Sequence, residues 1–173
     1  VDRMEIRIDS PDPFKQVGEI LTKGMNVMDG YYNNPEASNT VLSPDGWLHT
    51  GDLGVLDPDG YLYIKGRSKS LILGPSGQNI YPEEIEDLLN AQPYIAESLV
   101  IEREGKLVAL VYPDAEAMKQ NKISCETLLK IIHETRKQIN QQLPAYSQIA
   151  RIEIHDEEFE KTPKRSIKRF LYQ

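Results

Sequence analysis

The sequence contains little cysteine, no long apolar run and no excess of positive charge. Cys125 is the single cysteine among 173 residues, which excludes an internal disulfide and fits a reducing compartment, so we expect a cytoplasmic protein. No apolar run approaches the roughly 18 residues that cross a bilayer, so no transmembrane segment is predicted, although peripheral contact with a membrane stays open. The net charge of −7, from 20 basic and 27 acidic side chains, argues against a nucleic-acid partner.

Metal-ligating residues are also scarce. The three histidines share no ligand spacing with each other or with the lone cysteine, so no protein-bound metal is predicted. The chain begins at Val1 rather than at a methionine, and we expect it to be part of a longer protein.

The glycines divide the chain into two segments of different character. Ten of the eleven precede Leu88 and only Gly105 follows it. This shift separates a turn-rich segment, predicted to be mostly β, from a segment that contains longer helices.

Local signals predict the elements of the first segment. The turn Pro58-Asp59-Gly60 joins Leu53–Leu56 to Tyr61–Lys65 as a hairpin, because proline presets φ and glycine tolerates positive φ. Asn34 and Pro35 predict the cap and first position of a short helix.

The second segment predicts a β, α, β, β, α, β order, and therefore a small α+β layer structure. Pro82, followed by two glutamates, starts one helix, and Ser124 caps a longer one. The turn at 103–105 predicts a second hairpin, and Ile149–Ile154 alternates like a strand. The apolar positions of the longer helix are Cys125, Leu128, Leu129, Ile132, Ile139 and Leu143.

The first chemical signal is Thr50-Gly51-Asp52. An ionised carboxylate accepts two hydrogen bonds from a ribose diol, and Gly51 lets the backbone approach a ligand closely. For such a short motif alone, a tight surface turn is the commoner explanation.

A second signal begins at Arg67 and continues through a glycine-containing loop. Arg67 offers a planar, permanently charged group suited to phosphate or ribose oxygens. The loop from Gly74 to Gly77 exposes backbone to a ligand. A solvated strand face is the alternative for Arg67 and Lys69.

The order of these blocks along the chain resembles the acyl-adenylate-forming superfamily, which includes acyl-CoA synthetases, adenylation domains of peptide synthetases and luciferases. The resemblance covers nearly the whole chain. Within the superfamily, the chain most resembles bacterial long-chain fatty-acid–CoA ligases. The blocks that carry it are Gly18-Glu19-Ile20, Thr50-Gly51-Asp52, Gly66-Arg67, Asn79-Ile80-Tyr81-Pro82-Glu83-Glu84, Leu143-Pro144-Ala145-Tyr146 and Lys161-Thr162-Pro163.

The resemblance implies roles for five residues. Asp52 would bind the ribose hydroxyls of ATP, beside Thr50, and Arg67 would contact the ribose or phosphate region. Lys69 would be the hinge about which the C-terminal domain rotates between two half-reactions. The loop around Gly77 would line the channel for the pantetheine of CoA.

One position departs from the family pattern. The family tail, of Thr-x-x-Gly-Lys or Lys-Lys type, carries a lysine that bridges the substrate carboxylate and the phosphate, and Ser166 occupies that position here. Serine carries no charge to stabilise a developing phosphate anion. Lys164, Arg165 or Lys168 could substitute after a small shift, or the adenylation step is weakened.

The tail around Ser166 is basic. Residues 161–173 contain five basic and no acidic side chains, which leaves −12 for the rest of the chain. A solvated chain end and a segment that folds over polyphosphate are the two alternatives.

The resemblance implies the C-terminal part of an AMP-forming ligase that uses ATP, Mg²⁺ and CoA to activate a carboxylic acid, expected to be a long-chain fatty acid. Residues 1–66 would be a β-rich remnant of the large domain, 67–70 the hinge, and 71–173 the mobile domain. The isolated chain is expected to be inactive, because no phosphate loop or acyl pocket occurs in it. The alternatives are an adenylation domain that loads a carrier protein and a non-catalytic nucleotide-binding or regulatory module.

Overall fold

The computed structural model describes residues 4–173, which form two compact units. The first unit ends at Lys69 and the second begins at Ser70.

The first unit is a four-stranded antiparallel sheet with strand order β1-β2-β3-β4 and one short helix. Its apolar core includes Ile8, Ile20 and Leu21. The elements are β1 (Met4–Asp9), β2 (Gly18–Gly24), α1 (Pro35–Val41), β3 (Leu48–Leu56) and β4 (Leu62–Arg67).

Local turn and cap chemistry explains these elements. The Asn34 side chain accepts a hydrogen bond from the Ala37 amide at 3.0 Å, which confirms the predicted cap of α1. In the β3–β4 hairpin, Asp57 Oδ1 accepts from the amides of Asp59 and Tyr61 at 3.0 and 2.8 Å. The predicted hairpin is therefore confirmed, and it places the end of β4 opposite the Thr50–Asp52 segment.

The second unit contains a two-stranded and a three-stranded sheet, which agrees with the predicted α+β fold. In the larger sheet β7 and β8 are antiparallel, whereas β9 runs parallel to β8 after a helical crossover. The elements are β5 (Ile72–Leu73), β6 (Asn79–Ile80), α2 (Pro82–Asn90), β7 (Ile95–Arg103), β8 (Lys106–Pro113), α3 (Ala115–Gln120), α4 (Cys125–Gln142) and β9 (Ile149–Ile154).

Both faces of the three-stranded sheet are covered. One face carries Val100 and Ala109 and packs against α2 and α4. The other face carries Leu99, Leu110 and their neighbours, and it packs against the C-terminal tail through Phe159. The tail is therefore part of the core of this unit.

Helix α4 buries a narrower face than its apolar residues predict. The buried positions are Leu128, Ile132, Thr135 and Ile139, at helical spacing. Cys125 is exposed and Leu129 is 56% exposed, because residue 129 lies about 100° around the helix from Leu128. Ser124 caps the helix by accepting from the Thr127 amide, as predicted.

Candidate functional site

Asp52 and Arg67 face each other across the β3–β4 pair. Their Cα atoms are cross-strand partners, and Arg67 Nε lies 3.3 Å from Asp52 Oδ1. The two side chains are 39% and 62% exposed, so their ion pair adds little to stability and stays open to solvent. Among the described residues, the second carboxylate oxygen of Asp52 has no hydrogen-bond partner, so the pair presents an oriented acceptor next to a fixed cation.

Gly51 gives this site its backbone shape. Its φ of +73° belongs to the left-handed region, and a Cβ there would lie 3.4 Å from Arg67 Nη2. The Gly51 amide donates to Glu19 Oε1 at 2.9 Å, while Glu19 Oε2 lies 2.9 Å from Nδ1 of His49. Glu19 thus holds the turn from the neighbouring strand β2, a supporting role that residue type and spacing did not reveal.

Thr50 is already engaged within the sheet. Its hydroxyl donates to the Ile20 carbonyl at 2.8 Å and accepts from the Asp52 amide at 3.1 Å. These bonds fix the backbone that carries Asp52. A direct contact of Thr50 with a ligand stays a prediction and would use its remaining lone pair.

Lys69 lies at the division between the two units. It is an exposed residue in a short 3₁₀ turn, Ser68–Ser70, that follows β4. An exposed side chain in a short turn can follow a change of backbone dihedral angles without loss of core packing.

The loop from Gly74 to Gln78 forms one wall of a cavity of about 560 Å³ in the second unit. The loop is a tight turn between β5 and β6, in which the Gly74 amide donates to the Gln78 carbonyl at 2.8 Å. Lys106 and Tyr146 also line this cavity. Gly77 has a φ of +80° and open space around its Cβ position.

Residues Lys161 to Ile167 form a small hairpin at the C-terminal tail. Lys161 and Ile167 are bridge partners, and the Thr162 amide donates to the Ser166 carbonyl at 2.9 Å. The Arg165 amide donates to the Thr162 carbonyl at 2.8 Å, and Arg165 has a φ of +63°. This is a three-residue hairpin loop, in which glycine is the favoured residue at the left-handed position. In the Thr-x-x-Gly-Lys pattern aligned on Thr162, that glycine falls at Arg165, which supports the placement of Ser166 at the lysine position.

Three of the five basic side chains of the tail form ion pairs within the unit. Lys161 Nζ lies 2.6 Å from Glu97 and 2.5 Å from Glu158. The hydrogen bonds to these two carboxylates raise the pKa of Lys161, and the bond to Glu158 has the larger effect. Lys168 Nζ lies 3.1 Å from Glu160.

Arg169 connects the tail to helix α2. Its guanidinium donates to Glu86 Oε2 and lies 3.6 Å from Glu83 Oε1, and it also donates to the Val100 carbonyl at 3.2 Å. Glu86 Oε1 in turn accepts from the Val100 amide at 2.6 Å. Burial raises the pKa of Glu86, and the charge of Arg169 opposes that rise. For the basic tail as a whole, the sequence left open a solvated chain end or a segment folded over polyphosphate; in the structure Arg169 is an internal anchor of the unit.

The described part of the chain has neither a metal-binding cluster nor a helix that could cross a membrane. Among residues 4–173, no group of three or more His, Cys, Asp or Glu side chains could hold a metal ion. No helix in the same range combines the length and apolarity that a bilayer crossing requires.

The described fold and site define a class of protein. Residues 69–172 match the family model for the C-terminal domain of AMP-binding enzymes. The chain therefore belongs to the AMP-binding enzyme family, and its second unit is the small α+β domain of the adenylate-forming superfamily.

Several of the curated relatives are named as CoA ligases. Indoleacetate–CoA ligase of Aromatoleum aromaticum is 50% identical over 98 residues, which are 54% of this chain and 19% of that protein. 2-Succinylbenzoate–CoA ligase of Bacillus cereus is 41% identical over 122 residues, 70% of this chain and 24% of that protein. Probable acyl-activating enzyme 4 of Arabidopsis thaliana is 35% identical and covers 90% of this chain. The chain spans 19%, 24% and 27% of the length of these three relatives.

Solved structures give the same assignment. o-Succinylbenzoate CoA synthetase of Bacillus subtilis, in complex with AMP, matches with a TM-score of 0.75 and 29% identity over 99% of this chain and 34% of that one. The same enzyme with ATP and magnesium matches with a TM-score of 0.74 and 30% identity, over 97% of this chain and 33% of that one.

Proposed function

We propose that this chain is the C-terminal part of an AMP-forming acid–CoA ligase. In the first half-reaction a carboxylate oxygen attacks the α-phosphorus of ATP, pyrophosphate leaves and an acyl-adenylate forms. In the second, the CoA thiol attacks the acyl carbon and AMP leaves. The observation that carries the proposal is the Asp52–Arg67 ion pair. Arg67 lies two residues before the start of the family domain at residue 69, and relatives of this chain are named as CoA ligases.

The ribose is the group that Asp52 would hold. Its Oδ1 atom is oriented by Arg67, and its Oδ2 atom is available to accept a hydroxyl hydrogen. Charge-assisted hydrogen bonds of this kind are about twice as strong as neutral ones. Arg67 would stay close enough to contact the ribose or the α-phosphate. Mg²⁺ would arrive with ATP and be held mainly by phosphate oxygens.

The cavity behind the Gly74–Gln78 loop is the proposed place for the pantetheine of CoA. Its walls combine apolar groups, such as Ile72 and Leu107, with the polar groups of Ser76 and Gln78. An amide-containing chain needs this mixture of apolar surface and a few polar partners. Gly77 is not one of the residues that line the cavity, and its Cβ position has open space around it, so a contact of Gly77 with pantetheine stays a prediction.

The identity of the acid is tested separately from the reaction. A long-chain fatty acid was expected from the sequence, but the relatives are named for indoleacetate, sulfoacetate and 2-succinylbenzoate. A panel of aromatic, short and long-chain acids, assayed for AMP and acyl-CoA release by the full-length protein, tests both the reaction and the acid. The absence of acid-dependent AMP release with every acid would contradict the proposal.

Two other functions fit part of the observations. An adenylation domain that loads a carrier protein shares this fold: the adenylation domain of a carboxylate reductase from Mycobacterium chelonae matches with a TM-score of 0.80, although at 22% identity it supports the fold alone. Comparing CoA with a phosphopantetheinyl carrier protein as acceptor separates these two. Ser166 at the lysine position favours a non-catalytic module, which acid-dependent AMP release would exclude.

The isolated 173-residue chain is expected to catalyse no acid-dependent ATP–pyrophosphate exchange, because the proposed ribose and CoA groups form only part of an active site. The measurement is exchange of labelled pyrophosphate into ATP, with full-length protein as the positive control. Exchange above background by the isolated chain would show that it contains a complete adenylation site.

A proline at the proposed hinge is expected to separate the two half-reactions. Lys69→Pro restricts φ to about −65°. We expect adenylate formation within a few-fold of wild type and at least a 10-fold slower thioester formation, because the rotation requires a change of backbone dihedral angles. Both rates are measured separately, the second from supplied acyl-adenylate.

Lys69→Ala is the matched control, because it removes the charge but leaves the backbone free. It should keep both half-reactions near wild type. Equal rates of thioester formation in the proline and alanine variants would show that residue 69 is not the hinge.

A further inference from the structure

Residues 50–52 form a bulge in strand β3. On one side of this segment His49 pairs with Leu21 of β2, and on the other side Leu53 pairs with Glu19. Between these two pairs β2 contributes a single residue, whereas β3 contributes the whole segment, which has no partner on β2 in the described ladder. Bulges interrupt the pairing locally and re-aim a side chain, and they are over-represented next to active sites.

Side chains satisfy the backbone groups that the bulge removes from the ladder. The Gly51 amide donates to Glu19 Oε1 at 2.9 Å. The Asp52 amide donates to the Thr50 hydroxyl at 3.1 Å, and that hydroxyl donates to the Ile20 carbonyl at 2.8 Å. A backbone group left unpaired away from water costs free energy, so these side-chain bonds stabilise the bulge.

The bond from Gly51 to Glu19 controls the least restrained residue of the bulge. Gly51 has a φ of +73°. Glycine populates positive and negative φ about equally well, because it has no Cβ, so Gly51 does not restrain the backbone that leads to Asp52. The Glu19 carboxylate supplies that restraint from the neighbouring strand.

Glu19 is itself held in place. Its second oxygen, Oε2, lies 2.9 Å from Nδ1 of His49. An ionised carboxylate only accepts hydrogen bonds, so this contact requires that Nδ1 carries the hydrogen of the imidazole. The Glu19 side chain is 27% exposed, less than the 39% of Asp52. The supporting carboxylate is therefore more enclosed than the carboxylate that it supports.

We propose that Glu19 is a positioning residue for the ribose of ATP, because it holds the Gly51 amide and thereby orients the Asp52 carboxylate before the nucleotide binds. This inference rests on the proposed role of Asp52 as the acceptor of the ribose hydroxyls. Glu19 acts through Asp52, since its two oxygens already bond to Gly51 and His49. Without Glu19 the turn must be ordered at the moment of binding, and that cost lowers the affinity for ATP.

The test measures the binding of ATP and of its 2′,3′-dideoxy analogue to the full-length protein. Removal of both hydroxyls should weaken binding to wild type about 100-fold but binding to Glu19→Ala only about 10-fold. The difference should arise from weaker binding of ATP, while the dideoxy analogue binds within about twofold of wild type. A merely structural role of Glu19 would weaken the binding of both nucleotides alike.

Two conservative variants separate hydrogen-bond geometry from charge. Glu19→Gln keeps the length of the side chain and an acceptor oxygen for the Gly51 amide, so its discrimination between the two nucleotides should stay within about threefold of wild type. Glu19→Asp keeps the charge but withdraws the carboxylate by one methylene group, so it should resemble Glu19→Ala. The aspartate variant also tests the inference if the alanine variant does not fold.

Asp57→Ala is the matched control in the same sheet. Asp57 Oδ1 also accepts backbone hydrogen bonds, from the amides of Asp59 and Tyr61 at the turn of the β3–β4 hairpin. The variant should lose stability in thermal unfolding, because these bonds hold the turn. Its discrimination between ATP and the dideoxy analogue should equal that of wild type, because this turn does not carry Asp52.

Combining Glu19→Ala with Asp52→Ala gives a further readout. The double variant should bind ATP within about twofold of Asp52→Ala alone, because the group to be positioned is already absent. Wild-type discrimination in Glu19→Ala and Glu19→Asp, or a loss in Glu19→Gln that Glu19→Asp does not share, would overturn the inference while the proposed function stands. A wild-type protein that binds the two nucleotides equally would overturn both the ribose contact of Asp52 and the inference.

Discussion

Replacing Asp52 with alanine in the full-length protein is expected to lower kcat/KM for ATP in the adenylation reaction by two to three orders of magnitude. The variant loses the acceptor for the ribose diol and leaves Arg67 without its partner across β3 and β4. A decrease of two to three orders of magnitude in kcat/KM corresponds to about 3–4 kcal/mol. The loss of two charge-assisted hydrogen bonds to the ribose, at about 1.5–3 kcal/mol each, accounts for a decrease of this size. The measurement is initial-rate pyrophosphate exchange at varied ATP concentration.

Two companion variants give this result its meaning. Asp52→Asn keeps the shape and one acceptor oxygen, so we expect an intermediate loss. Asp59→Ala removes an exposed carboxylate from the turn of the same hairpin and should leave the kinetics unchanged. Wild-type kinetics for Asp52→Ala would show that the Thr50–Asp52 segment is a surface turn without a role in nucleotide binding.

Replacing Arg169 with methionine is expected to destabilise the second unit of the 173-residue chain by about 3–5 kcal/mol at neutral pH. The Arg169 and Glu86 side chains are 19% and 11% exposed, so the variant leaves a carboxylate buried without its cation. The measurement is hydrogen exchange of the β7 and β8 amides, which form the centre of the sheet. Arg151→Met removes a 56% exposed partner of Glu153 and should cost less than about 1 kcal/mol.

The loss of stability caused by Arg169→Met should depend on pH. Burial raises the pKa of Glu86 in the folded state above its value in the unfolded chain, and removing Arg169 raises it further. A raised folded-state pKa means that stability falls as pH rises from the unfolded pKa, about 4.5, towards the folded pKa. The variant should therefore approach wild-type stability below pH 4.5.

Neutralising Glu86 tests the cause. Adding Glu86→Gln to Arg169→Met removes the buried charge, so most of the loss at neutral pH should be recovered and its pH dependence abolished. A destabilisation of the same size at pH 4 and pH 7 would show that lost packing of the arginine, and not the buried carboxylate, is responsible.

Local sequence signals were sufficient for most of the fold. The caps at Asn34 and Ser124 and the hairpin turn at 58–60 depend on residues within a few positions of each other, and the structure confirms them. Caps and turns satisfy backbone hydrogen bonds locally, so their residue types are informative without knowledge of the tertiary structure.

The interactions that the sequence did not reveal join distant residues. Glu86 and Arg169 are 83 positions apart, and Glu19 is 32 positions from Gly51. Nothing in their local patterns distinguishes a buried partner from an exposed charge. The tail could therefore be read as a solvated end, whereas Phe159 and Arg169 make it part of the core.

The ligand-binding roles of the candidate site residues stay a prediction, but the structure shows which of these residues lie together. Asp52 and Arg67 are cross-strand partners in the β3–β4 hairpin. They are 15 positions apart in the sequence, and the hairpin turn between them brings the two strands side by side. Thr50 was grouped with them, yet its hydroxyl bonds within the sheet. Two of the candidate replacements for the lysine differ in their ion pairs: Lys168 is paired with Glu160, whereas Lys164 forms no ion pair among the described residues. This difference depends on the folded structure and could not be predicted from the sequence.

A double-mutant cycle between Asp52 and the ribose hydroxyls tests the proposed nucleotide site most directly. ATP and its 2′,3′-dideoxy analogue are compared for binding to wild type and to Asp52→Ala in the full-length protein. Removing the diol should weaken binding to wild type about 100-fold but to the variant less than about threefold, because the partner is already absent. An equal effect of the missing hydroxyls on both proteins would mean that this carboxylate does not hold the sugar.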